Sequence, residues 1–130
     1  AITRGEKDGY RLFKEYGCVS CHQGINIGGN MYQTIGVMAD YFVNREIHEI
    51  DRGRYNVTKK DWNLYQFKVP GLRNIAISQP YLHDGSAASL EDVLEVMWNS
   101  QLGRSPKPEE SELIIQFLNT LTGEYKGERL

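Results

Sequence analysis

The sequence predicts an all-α domain, because three stretches combine helix-capping residues with apolar side chains at helical spacing. Thr3 and Glu6 have the spacing of a capping box and Gly17 is a favourable stop, so a first helix should lie between them. Ser89 is a good N-cap for a second helix, and Pro108 suits the first turn of a third. Apolar residues recur in each stretch at intervals of three or four, which is typical of a helix that buries one face.

The apolar stripes indicate how these helices pack. Tyr10 and Phe13 share a face of the first helix, and Gly9 lies one turn before Phe13. A glycine at that position lets another helix approach closely, although a glycine on a solvated face, at a cost of about 1 kcal/mol, is the alternative. The stripes of the second and third helices are Leu90, Val93, Leu94, Met97 and Trp98, and Leu113, Ile114, Phe117, Leu118 and Leu121.

The rest of the chain is expected to be irregular. Residues 23–36 contain four glycines, and residues 44–60 are heavily charged, as is typical of a solvated connection. Residues 61–88 contain two prolines, which argue against long regular elements, and one short extended stretch at Tyr65–Val69. The third helix should stop at Gly123.

Composition bounds the class of protein. The chain has 130 residues, 40% of them hydrophobic and 25% charged, which predicts one globular domain over residues 1–130. A formal net charge of −2 provides no basic field for nucleic acid. No apolar run approaches the ~20 residues that a membrane span requires.

The stretch Cys18-Val19-Ser20-Cys21-His22 has the spacing of a c-type haem attachment motif. Two thiols on one short turn can each form a thioether with the same porphyrin, and His22 can then bind the iron as proximal ligand. A thioredoxin-like pair would need a βαβ pattern, a zinc site would need a fourth ligand, and a disulfide would leave the histidine unexplained. Because the chain has two cysteines in total, we predict one covalent haem c.

A covalent haem also bears on fold and location. A first helix with Phe13, a last helix with Phe117 and a haem between them suit a cytochrome c fold. Such haem is normally attached outside the cytoplasm, and the chain starts at Ala1 without an apolar targeting segment. We therefore expect a periplasmic protein from which a signal peptide has been removed.

Two further residues are candidates for haem contacts. Met97 lies on an apolar stripe, where methionine is ordinarily a packing residue, but an unfilled sixth position on the iron makes it a candidate axial ligand. Arg73 lies between apolar neighbours and is either a partly buried partner of a haem propionate or a surface arginine.

Four segments carry a longer pattern: Cys18 to Gly29, Asp51 to Thr58, Phe67 to Ile75, and Pro-Tyr-Leu-His-Asp-Gly-Ser at 80–86. Together with the stretches from Leu90 to Met97 and from Phe117 to Gly123, they resemble the C-terminal haem domain of bacterial dihaem cytochrome c peroxidases and of the related MauG proteins.

The resemblance implies that the haem is the high-potential, electron-transferring one of the two, with His22 and Met97 as axial ligands. MauG-like enzymes have a tyrosine where this sequence keeps Met97. The family's calcium site would use backbone carbonyls near Ser78 to Pro80, and its other half comes from a domain that this sequence does not contain.

The predicted function is electron transfer by a monohaem cytochrome whose His22- and Met97-ligated iron cycles between Fe(II) and Fe(III). In the family that the chain resembles, peroxide is cleaved at a second haem with its own Cys-x-x-Cys-His, so the chain itself is predicted not to be an enzyme. One alternative is a peroxidase-like or gas-binding protein in which Met97 is displaced and His83 or Tyr81 is a distal acid or replacement ligand. Another is an electron-donating domain or subunit of a larger redox enzyme.

An apolar rim beside the haem edge is expected to bind a redox partner protein or a second copy of the chain. Its candidate residues are Ile25, Ile27, Tyr81 and Leu82. Exposed apolar patches of this kind mark interaction sites in soluble proteins, and a net charge of −2 suggests modest electrostatic steering. The alternative is a polar face on a monomer that meets its partners transiently.

Overall fold

All 130 residues are described in the computed structural model of the chain. The helices are α1 (Arg4–Glu15), α2 (Tyr55–Thr58), α3 (Leu90–Val96) and α4 (Pro108–Asn119). The strands are β1 (Tyr32–Thr34), β2 (Gln66–Lys68), β3 (Glu124–Tyr125) and β4 (Glu128–Arg129). Single 3₁₀ turns lie at Cys18–Ser20, Glu49–Arg52, Asp61–Asn63 and Ile75–Ile77, and a π-helical stretch at Met97–Leu102 continues α3. None of the helices combines the length and the apolarity that crossing a membrane requires.

The predicted helix starts are confirmed, because the capping side chains bind the backbone groups that a helix leaves free. Thr3 Oγ1 accepts the Glu6 amide proton at 3.2 Å, and the Thr3 amide donates to the Glu6 carboxylate at 2.6 Å. Ser89 forms the same kind of box at α3, and Pro108 is the first residue of α4. The predicted stop at Gly123 is wrong: α4 ends four residues earlier, and Gly123 instead leads into the β3–β4 hairpin.

The packing of α1 against α4 organises the core. Gly9 is buried, and a Cβ atom there would overlap the Leu113 carbonyl oxygen and lie 3.0 Å from the Phe117 Cβ atom. Gly9 therefore allows a close helix approach, as predicted, rather than lying on a solvated face. The core cluster around this contact consists of Leu12, Phe13, Leu72, Tyr81, Ala87, Leu90, Leu94, Trp98, Ile114, Phe117 and Leu118.

The all-α prediction needs a correction, because two small antiparallel sheets accompany the helices. β2 lies within the predicted extended stretch, but its partner β1 lies in the glycine-rich loop, residues 23–36, with Gln33 opposite Phe67. β3 and β4 form an exposed C-terminal hairpin. Each strand has only two or three residues. Strands that short leave no alternation in the sequence, and their pairing depends on distant parts of the chain.

Candidate haem-attachment site

The Cys18–His22 stretch forms a compact turn directly after α1. Gly17, with φ of +91°, ends the helix in the left-handed region that glycine tolerates best. The His22 amide then donates to the Cys18 carbonyl at 2.9 Å, and the Cys21 amide donates to the same oxygen at 3.3 Å. One turn therefore holds both thiols and the imidazole.

Both thiols are free and half-buried. Burial raises the pKa of the Cys18 thiol to about 11. A thioredoxin-like pair needs a thiol with a lowered pKa, so the raised value disfavours that alternative. Three donor atoms from Cys18, Cys21 and His22 do not converge within 4.8 Å of one another, which is also unlike a zinc site.

The His22 ring is oriented by the backbone of a distant loop. Its Nδ1 lies 3.2 Å from the Pro70 carbonyl oxygen, and a proton on Nδ1 that donates to this oxygen leaves Nε2 free to bind a metal. Burial lowers the pKa of His22, which favours the neutral form that ligates metals. The Phe13 ring lies on one side of the imidazole, at a centroid distance of 6.4 Å.

The glycine-rich loop supports this orientation because backbone hydrogen bonds fasten it to the Pro70 loop. The Gly29 amide donates to the Val69 carbonyl at 2.7 Å, and the Leu72 amide donates to the Asn26 carbonyl at 3.0 Å. Gly28 is buried with φ of +134°, and a Cβ atom there would overlap the Pro70 carbonyl. A side chain at Gly28 would therefore displace the oxygen that orients His22.

Met97 begins the π-helical stretch that continues α3. On the same stripe Leu90, Leu94 and Trp98 are buried in the core cluster, whereas Met97 is half-buried and does not pack against that cluster. π-Helical turns occur frequently at functional sites. A half-buried thioether that does not fill the protein core suits a ligand position.

Arg73 is exposed, contrary to the partly buried position expected for a propionate partner. Its Nε donates to the Ile25 carbonyl at 2.8 Å, so its stem is tied to the loop that follows the attachment motif. The terminal guanidinium nitrogens form no hydrogen bond and no ion pair within the chain.

The residues present fit a covalently attached haem. Two unpaired thiols lie on one turn, an imidazole is oriented with a free Nε2, and a half-buried thioether is available on another element. This donor set is that of a c-type haem with His and Met ligands.

The expected apolar rim is only partly present. Tyr81 is buried, with 6% of its surface exposed, and its hydroxyl donates to the Ile75 carbonyl at 2.8 Å. Leu82 and Ile27 are half-buried against the core cluster, and Ile25 is 82% exposed. The rim therefore reduces to Ile25, since the other three side chains contribute to internal packing.

The sequence did not reveal a pair formed by the buried Asp51 and the half-buried His83. His83 Nε2 donates to Asp51 Oδ1 at 2.6 Å, the Asp51 Oδ2 atom accepts the His48 amide proton at 2.7 Å, and the Phe67 ring stacks on His83 at 4.4 Å. The hydrogen bond from His83, followed by that from the His48 amide, holds the pKa of Asp51 below its ordinary value. The resemblance had placed Asp51 and His83 in two separate segments, but nothing in the sequence indicated that they meet.

Asp51→Asn is expected to lower the free energy of unfolding at neutral pH by about 1–3 kcal/mol, because His83 loses a charged acceptor. The folded-state pKa of Asp51 lies below its unfolded value near 3.8. The stability that Asp51 contributes is therefore fully present above pH 3.8 and is lost as the pH falls through the folded-state pKa. Denaturant unfolding between pH 3 and 7 should show a shallower acid limb in the variant. Asp61→Asn, at an exposed side chain without a hydrogen bond, is the matched control; equal effects of the two substitutions would contradict this role.

Comparison with known proteins gives a consistent set of relatives, although no protein-family profile matches the chain. It is 44% identical over 124 residues to the cytochrome c551 peroxidase of Nitrosomonas europaea, covering 95% of this chain and 36% of that protein. It is 39% identical over 125 residues to the cytochrome c peroxidase Ccp of Escherichia coli, covering 96% of this chain and 27% of that protein. The chain thus spans about a third of the length of these curated relatives.

The fold is similar to that of a solved MauG-like protein associated with microbial copper homeostasis. The TM-score is 0.79 at 23% sequence identity, and the match covers 95% of this chain and 48% of the other. The similarity extends over almost all of the elements described above.

These matches correct the prediction that the chain is not an enzyme. The relatives are named as peroxidases, and the chain corresponds to one part of each of them. A count of two cysteines gives the number of attachment motifs in this stretch. The cysteine count does not show whether a protein that contains such a stretch is an enzyme.

Proposed function

We propose that this chain is an electron-transferring haem c domain of a periplasmic enzyme of the cytochrome c peroxidase and MauG family. Almost the whole chain is homologous to one part of these proteins. Haem c supplies an iron that exchanges one electron between Fe(II) and Fe(III). Cys18 and Cys21 would hold the porphyrin as thioethers, His22 and Met97 would be the axial ligands, and Arg73 would reach a propionate. We also propose that the domain has the cytochrome c fold and carries a single haem.

The observation that supports the proposal most is the orientation of His22. Its Nδ1 proton points to the Pro70 carbonyl, so Nε2 is kept as an acceptor and the ring is held in one orientation. Met97 offers a second ligand, and an iron saturated by two protein ligands changes little in geometry on oxidation or reduction. Such a centre suits electron transfer, and peroxide reduction by the whole enzyme would take place elsewhere, as the resemblance implies.

The alternative in which His83 or Tyr81 acts directly on a haem-bound substrate has less support. The His83 Nε2 atom is engaged by Asp51, and the Tyr81 hydroxyl is engaged by the Ile75 carbonyl. Tyr81 would have to give up its hydrogen bond before its hydroxyl could act. His83 could act only through Nδ1, with its ring fixed by Asp51 on one side and stacked on Phe67.

Intact-mass measurement under denaturing conditions tests the attachment. The exported protein should carry the mass of one haem, because thioether bonds survive unfolding. Cys18→Ala and Cys21→Ala should each retain some haem through the remaining thiol, and the double variant should lose it on denaturation. A denatured wild-type chain with the mass of the bare polypeptide would contradict covalent attachment.

A further inference from the structure

Positive charge is concentrated in one part of the chain. Residues 52–68 carry five basic side chains and one acid, a net charge of +4 in a protein whose total is −2, so the remaining residues carry −6. All six charged side chains are exposed: Arg52, Arg54, Lys59, Lys60, Asp61 and Lys68. A uniform distribution would have left this segment close to neutral.

These basic groups are not neutralised within the chain. The ion pairs of the protein lie on α1 and between His83 and Asp51, and none involves residues 52–68. Three of the five cations, Arg54, Lys59 and Lys60, lie over aromatic rings instead. The Arg54 guanidinium lies 4.2 Å from the centroid of the Tyr32 ring, and the Lys60 ammonium lies 5.3 Å from that of Trp62. Aromatic rings position a cation but leave its charge available to a partner.

A surface cavity of about 440 Å³ lies between the β1–β2 ladder and α2. Its lining includes Tyr32, Arg54, Val57, Phe67 and Lys68. Val57 is 85% exposed, and Trp62, in the 3₁₀ turn that follows α2, is 71% exposed. Exposed aromatic rings beside arginine are the composition that protein interfaces favour, and scattered surface lysines alone would not provide it.

One wall of the cavity packs on the segment that carries His83. Phe67 lines the cavity and stacks on His83 at a ring separation of 4.4 Å. Leu82, the neighbour of His83 in the chain, packs against the same core cluster as Cys18 and Val19. The side chain that packs on the cavity wall is thus next in sequence to one that shares the core cluster with the attachment turn.

We infer that the basic aromatic surface, formed by Tyr32, Arg54, Val57, Lys60, Trp62 and Lys68, docks a one-electron donor protein that presents carboxylates around its own redox centre. The inference rests on the proposed function, since it gives the haem domain its electron source. In each encounter the donor is oxidised by one electron and the domain is reduced by one. Complementary charge steers the encounter, and the exposed Trp62 and Val57 supply short-range apolar contact.

Voltammetry of the haem-loaded protein on chemically defined electrodes tests the charge preference. A carboxylate-terminated monolayer imitates the acidic partner, and an ammonium-terminated monolayer is the opposite surface. At low ionic strength, electron exchange should be about tenfold or more faster on the carboxylate surface, although the net charge of −2 alone would favour the other. High salt should remove the difference.

The test variant is the double substitution Lys60→Glu/Lys68→Glu. The matched control is Lys7→Glu/Lys126→Glu, on exposed lysines outside the surface. Both pairs change the net charge equally, and equal unfolding midpoints verify their folding. The first pair should lose the carboxylate preference and the second should keep it. The docking surface would be overturned if both double variants lost the carboxylate preference equally, or if the wild-type rates were equal on both monolayers. A reversible haem wave in the same experiment would still support the proposed function. Absence of any wave would overturn both.

Anionic phospholipid vesicles form a separate arm of the test. Sedimentation with vesicles should recover little protein and should not differ between the two double variants. Strong vesicle binding that only Lys60→Glu/Lys68→Glu abolishes would assign the surface to a membrane and overturn the docking of a donor protein.

Discussion

Replacing Met97 with alanine should lower the reduction potential of the haem-loaded protein by on the order of 0.1 V or more, since axial ligands tune haem potentials over about 0.8 V. A thioether stabilises Fe(II), so its loss favours the oxidised state. The oxidised protein should also lose the weak far-red absorption band that reports a sulfur–iron bond. A potentiometric titration followed by absorption spectroscopy measures both effects.

The two other methionines are the controls for this experiment. Met38 is 61% exposed, and Met31 is half-buried directly before β1, with its carbonyl accepting the Val69 amide at 2.9 Å. Met31→Ala and Met38→Ala should leave the potential and the far-red band unchanged. If either one removed the band, the assignment of Met97 would be wrong. A reduced spectrum of the bis-histidine type would instead make His83 the leading candidate.

Gly9→Ala should destabilise the protein by about 1–3 kcal/mol, although alanine is the better helix former by up to about 1 kcal/mol. The added Cβ atom would meet the Leu113 backbone carbonyl, and backbone on the facing helix cannot rotate aside as a side chain can. Chemical denaturation of the haem-loaded protein measures the change, and an unchanged absorption spectrum would show that the haem environment survives.

Gly5→Ala is the matched control in the same helix. A Cβ atom there would meet the end of the Gln116 side chain, which can move away. This substitution should be neutral or stabilising by up to about 1 kcal/mol. If the two substitutions destabilised the protein equally, the close approach of α1 and α4 would not explain why alanine is unfavourable at position 9.

Features that depend on neighbouring residues could be predicted from the sequence. The capping boxes at Thr3 and Ser89 and the compact turn after Gly17 are local, so spacing alone located them within a residue or two. The role of Gly9 was also predictable, because a glycine on an apolar helical stripe has few explanations. These features position one end of the candidate site, the Cys18–His22 turn.

Contacts between distant segments could not be predicted. Asp51 and His83 are 32 positions apart, and either residue alone resembles an ordinary surface charge. The burial of Tyr81 has the same origin, since the core cluster that covers it draws on α1, α3 and α4. The orientation of His22 also depends on a loop 48 positions away. The ligand types were therefore predictable, whereas the contacts that orient them were not.

The order of the helices along the chain has a consequence for biogenesis. The thiols of Cys18 and Cys21 directly follow α1, but α1 packs on α4, and the Tyr16 hydroxyl donates to Glu110 across 94 positions of sequence. In a chain that emerges from its N-terminal side, the attachment turn therefore appears well before the helix that completes the core. Until α4 is available the thiols remain accessible, so under the proposed function haem attachment can precede the final closure of the domain without a separate unfolding step.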